Sequence, residues 1–198
     1  MDRRTFCLGS AAAAVCRHAD RAFAAANPGA ANPGATIALD QVVFDSRYAE
    51  CRSFAASARR SGHETVAFDG DITSLWYDTL RPQWAAGGGA IAGMTTPSSL
   101  FCLEQSAKDH WRRVVIRIEH CPSAAGNPSH RVTASEPMLT RLCAALDLHQ
   151  AWTLQMMSLL AACERAKDRP RATRVVPGAD AGSVVAAGTD LVSWVIAT

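Results

Sequence analysis

Residues Gly89–Cys121, GAIAGMTTPSSLFCLEQSAKDHWRRVVIRIEHC, decide the architecture. Ala90-Ile91-Ala92-Gly93 is a short apolar run, and Thr95-Thr96-Pro97-Ser98 carries the hydroxyls and the early proline of a helix start. Leu100, Leu103, Ala107 and Trp111 recur at helical spacing, which predicts an inner face. Val114-Val115-Ile116-Arg117-Ile118 then reads as a second strand. A strand, a helix and a return strand form a β-α-β unit, which calls for a right-handed crossover in a mostly parallel sheet.

The same alternation extends on both sides of this unit. Upstream, Ile37 to Phe44 predicts a first strand ending at Asp45, and Arg47 to Arg60 a helix with Cys51, Phe54, Ala55 and Ala58 inward. Ser61-Gly62 stops that helix. His63 to Phe68 is a second strand, followed by Asp69-Gly70-Asp71, with Asp71 as N-cap of a helix that turns Ile72, Leu75, Trp76 and Leu80 inward. Pro82 ends or kinks it, and Gly87-Gly88-Gly89 is a flexible joint into the next strand. Downstream, residues 122–135 read as a long polar loop and 136–167 as one or two helices. Residues 169–190 read as a surface excursion, and Leu191 to Ile196 as a last strand of either direction. The expected fold is therefore a three-layer α/β sandwich with a mostly parallel, flavodoxin-like sheet in the order 2-1-3-4-5, or else a less regular mixed sheet.

The chain has 198 residues, enough for one well-buried domain. Its net charge of +2 gives no basic face dense enough for nucleic acid, and no apolar run reaches the roughly 18 residues of a membrane helix. Asp2-Arg3-Arg4-Thr5-Phe6-Cys7-Leu8 places paired arginines just before a phenylalanine and a mild apolar run, Leu8 to Cys16. This stretch resembles the signal sequence of bacterial twin-arginine (Tat) export substrates. The resemblance covers about 30 residues at most and implies passage through the Tat translocase to the periplasm, with cleavage at Ala22-Phe23-Ala24 or Ala24-Ala25-Ala26. Arg17 and Arg21 depart from it, because they put charge where such signals are neutral. Residues 1–26 are thus read as a signal peptide, 27–35 as a Pro/Gly/Ala linker within the duplicated ANPGAANPGA, and 36–198 as the domain. The five cysteines beyond residue 26 show no CxxC pair or zinc-knuckle spacing, and Cys51 and Cys102 fall on predicted apolar helix faces.

In open α/β sheets, ligands bind beyond the carboxyl ends of the strands, where the strand order reverses. The predicted ends carry Asp45 and Arg47, then Asp69 and Asp71, then Thr95, Thr96 and Ser98, then Glu119 and His120. The Thr95–Ser98 turn at a helix start favours phosphate, sulfate or carboxylate, and Arg47 would add a bidentate contact. Glu119 and His120 are candidate catalytic residues as an acid/base pair; with Asp45 and Asp71 the same groups would suit a hard metal. Capping demands these residue types too, so caps and solvated turns are the competing account. No GxGxxG, Walker, GxSxG or HExxH motif occurs, the Gly87–Gly89 run precedes a strand and does not read as a phosphate loop, and no cofactor is specified. Three functional classes follow: a binder of a small anionic ligand or accessory to an exported enzyme, a hydrolase or transferase, or an interaction module using Tyr77, Trp84 and the 122–135 loop.

Overall fold

In the computed structural model, residues 38–121, 129–146, 156–157, 160–161, 170–177 and 190–198 are described. The signal and linker readings lie outside them, as do Cys163 and most of the expected helix beyond residue 146. The described residues all belong to one unit, Gly34–Thr198.

The strands are β1 (Leu39–Asp45), β2 (Thr65–Phe68), β3 (Ala90–Thr95), β4 (Arg113–Cys121), β5 (Ser129–Ser135), β6 (Arg171–Val176) and β7 (Leu191–Ala197). Helices α1 (Ala49–Arg60), α2 (Arg81–Ala85), α3 (Pro97–Lys108) and α4 (Glu136–Leu146) connect them, and a π-helical turn, Leu75–Leu80, runs into α2. The sheet order is β2-β1-β3-β7-β4-β5-β6. β1 pairs in parallel with β2 and β3, whereas β3–β7, β7–β4, β4–β5 and β5–β6 are all antiparallel.

The mostly parallel, flavodoxin-like expectation is therefore wrong. β3 and β4 do run in the same direction, but β7 lies between them as an antiparallel strand. The reason is legible in burial. Every residue of β7 is buried: Leu191, Val195 and Ala197 join the core on one face, and Val192, Trp194 and Ile196 join the core on the other. A strand apolar on both faces would expose half its side chains at an edge, so it takes the centre. Gly93 makes room for it, since a Cβ there would collide with the Trp194 ring.

Two stretches read as irregular are strands. β5 alternates His130, Val132 and Ala134 inward with Arg131 and Thr133 outward, and β6 extends the sheet beyond it. Their inward residues include a histidine and alanines, too weakly apolar to betray a period of two. One core packs α1, α4, Met156, Met157 and Leu160 on one face, and the other packs the π-helical turn, α2 and α3 on the opposite face. Trp111, expected on the inner face of α3, is 91% exposed because the helix ends at Lys108. Cys102 is exposed as well, whereas Cys51 is buried as expected.

Candidate functional site

β1 and β3 are parallel neighbours whose last register pair is Phe44 with Met94, which sets Asp45 and Thr95 one residue further on at the same end of the sheet. α1, which follows β1, packs in one core, and α3, which follows β3, packs in the other. The two connections therefore part to opposite faces, and the strand ends between them are the position at which open α/β sheets bind ligands.

Asp45 is completely buried at this point. Its Oδ1 accepts from Arg47 Nε at 3.0 Å and from the Arg47 backbone at 3.2 Å, and its Oδ2 accepts from Arg47 Nη2 at 2.8 Å. Such a two-point fork is what makes a buried carboxylate tolerable. The carboxylate in turn holds the Arg47 pKa above its ordinary value. Gly70, at φ 75°, lets the Arg47 side chain lie against the β2 turn, where any Cβ would strike the guanidinium. Arg47 remains 45% exposed and its Nη1 takes no part in the fork.

Beyond the end of β3, the Thr96 hydroxyl accepts from the Ser99 backbone N–H at 3.3 Å and lies 3.0 Å from the hydroxyls of both Ser98 and Ser99. Thr95 Oγ1 accepts from Trp194 Nε1 at 3.1 Å and donates to the Thr96 carbonyl. Thr95 and Thr96 are thus occupied with capping and with fixing the central tryptophan, which leaves Ser98 as the exposed hydroxyl. At the end of β2, Asp71 accepts the Thr73 N–H at 2.8 Å as the expected helix start, and these Thr73 hydrogen bonds hold its carboxyl below the usual range. Asp69 is exposed nearby. The Cys51 thiol, buried behind Asp45, is pushed up to about 12 by burial and then by that carboxylate, so it is an inert thiol.

Glu119 and His120 are not brought together. They are successive residues of β4 and point to opposite faces. Glu119 is held by Arg117 Nε and Arg131 Nη1, each at 2.9 Å, on the outer face. His120 is fully buried: its Nδ1 lies 2.9 Å from His130 Nδ1 and its Nε2 lies 2.8 Å from Ser193 Oγ. Burial pushes both imidazoles down, His130 to about 4, and the neighbouring His130 lowers His120 further. Both rings are therefore neutral near pH 7, and one Nδ1 proton serves both. This buried relay escaped the sequence reading, because His130 and Ser193 lie 10 and 73 residues from His120 and only strand pairing unites them. Trp84, expected with Tyr77 to serve an interaction module, is buried, whereas Tyr77 is exposed beside Arg81.

Among the described residues, no group of three His, Cys, Asp or Glu side chains could hold a metal ion. Among the same residues, no helix is long and apolar enough to cross a membrane. No protein-family model matches the chain, and no curated protein or solved structure is significantly similar to it.

Proposed function

We propose that this chain is a Tat-exported periplasmic α/β protein that binds a small anionic ligand in the crevice between the ends of β1 and β3, as a binding protein or as an accessory to an exported enzyme. One observation carries the reading. The buried Asp45 fixes Arg47 at the point where α1 and α3 part, while leaving Arg47 Nη1 and half of its surface open. The exposed Ser98 lies in the first turn of α3, after the neighbouring strand, where the helix dipole adds to the attraction for an anion. The hydrolase or transferase reading has less support, because Glu119 and His120 face opposite sides of the sheet.

Native and denatured mass spectrometry of periplasmic protein tests this. A denatured mass that matches a chain beginning at residue 25 or 27 supports export, and an unprocessed amino terminus removes it. A native excess mass that disappears in Arg47→Lys supports the crevice. That variant keeps the positive charge beside Asp45 but loses the planar fork. Retention of the same mass in Arg47→Lys counts against the crevice.

A further inference from the structure

At the opposite end of the sheet a cavity of about 280 Å³ is lined by Asp40, Gly87, Gly88, Gly89, Arg112 and Thr198, among others. It lies beside the first residues of β1 and β3, where Leu39 pairs with Ala90, and beside the last residues of β7. It is therefore separate from the strand-end crevice.

Several independent features converge on it. Arg112 is only 6% exposed, and among the described residues no carboxylate lies within ion-pair distance of it. Its Nη1 donates to the Gly89 carbonyl at 2.6 Å, its Nη2 donates to the Gly88 carbonyl, and its guanidinium lies 5.0 Å from the centre of the Trp84 ring. Its Nε is buried without a partner. Burial lowers its pKa, and only the more distant Asp40 opposes that shift. A buried guanidinium held by carbonyls and an aromatic face alone is a charge awaiting an anion.

The orphaned polar atoms agree. Among the described residues, the buried side-chain atoms without a hydrogen-bond partner are Gln41 Oε1, Gln83 Oε1, Trp84 Nε1 and Arg112 Nε. Arg112 lines the cavity itself, Gln83 packs against the lining Gly88, and Trp84 lies against Arg112. Unsatisfied groups are rare in native interiors, so an unpartnered guanidinium nitrogen on a residue that lines a cavity calls for an explanation. The backbone is also arranged around the cavity. The β1–β3 register shifts between Leu39 and Gln41, so Asp40 sits in a bulge, where its carboxylate accepts the Gly89 N–H. Trp111 adopts φ 57°, and this left-handed residue turns the chain so that Arg112 points inward. Bulges and left-handed non-glycine residues both recur beside binding sites.

We propose that this cavity binds a small monoanion through a carboxylate, or a phosphate group carrying a single negative charge, placed against Arg112. The volume is about nine water molecules' worth, which suits a group of on the order of ten non-hydrogen atoms. Asp40 at the wall disfavours a second negative charge on the ligand.

The test is amide NMR of the full chain titrated with sodium acetate and, separately, inorganic phosphate, at an ionic strength matched with sodium chloride. Saturable shifts at Gly87–Gly89 and Arg112 with one of these anions, and none with chloride, are expected; which anion acts distinguishes carboxylate from phosphate. Asp40→Asn keeps an acceptor for the Gly89 N–H and removes the repulsion, so it should tighten binding roughly two- to fivefold, the range of a partly exposed charge pair. Arg112→Gln should abolish the shifts. No saturable shift with either anion, shifts confined to Thr96–Ser99, or weaker binding in Asp40→Asn would each overturn the proposal. The Asp40→Asn result decides even if Arg112→Gln fails to fold.

Discussion

The two halves of the sheet are built differently. β2-β1-β3 is parallel and covered on both faces, by α1 on one and by the π-helical turn, α2 and α3 on the other. β4-β5-β6 is antiparallel, and α4 covers one face of it, burying Ile116, Ile118, Val132, Ala134 and Val176. The other face carries Arg117, Glu119 and Arg131 as an ion cluster, and Thr133 bonded to Thr173 across the strands. In the first half, polar chemistry is confined to the strand ends. In the second, it runs along the strand on alternate residues, as a half-covered antiparallel sheet permits.

That contrast can be broken by substitution at adjacent positions of β4. Ile118→Ala removes a completely buried side chain and should cost about 2–5 kcal/mol. Glu119→Ala, one residue away, removes a partly exposed ion cluster and should cost no more than about 1 kcal/mol. Urea denaturation of both variants measures the difference. Equal costs would mean that the outer face of β4 is covered after all.

A second effect, of comparable size, comes from a polar network inside the half-covered core. His120 and His130 have folded-state pKa values below the ordinary 6.5 of the unfolded chain. The unfolded state therefore binds more protons in this range, and stability rises with pH. The contribution is fully present above pH 6.5 and is lost as pH falls towards about 4, where His130 itself titrates in the fold. Each neutral ring should cost the fold about 1.4 kcal/mol per pH unit across that window. Thermal unfolding between pH 7 and pH 5 should show a steep decline that is roughly halved in His130→Gln. A decline as steep in the variant would mean that the ring is not held neutral.

The difference between the halves also sets what was legible beforehand. β1, β3 and β7 announce themselves by continuous apolar runs, and α1 and α3 by their period and punctuation. The strand ends Asp45 and Thr95 were legible for the same reason, as polar residues that close apolar bodies. β5 and β6 were not, because a strand covered on one face needs only every second residue apolar, and here those residues include His130 and Ala172. The position of β7 between β3 and β4 was also hidden: local sequence shows that a strand is buried on both faces but not which neighbours bury it. The same limit hid His130 and Ser193. Arg112 carried no signal at all, since in WRR it reads as the basic end of a helix.

The smallest expected effect lies at the junction of the two halves, where the chain leaves α3 and enters β4. Trp111 stands there with φ 57° and almost no burial, so its side chain contributes little while its Cβ occupies a left-handed backbone. An L-residue in that region costs roughly 1–2 kcal/mol, and glycine escapes the clash while losing about 0.5–1 kcal/mol of chain entropy. Trp111→Gly should therefore stabilise the fold by about 0.5–1 kcal/mol relative to Trp111→Ala, which keeps the Cβ. The pair of variants separates backbone strain from loss of the indole, as chemical denaturation can read directly. If alanine matched glycine, the turn would store no strain, and the inward aim of Arg112 would need no conformational cost to maintain.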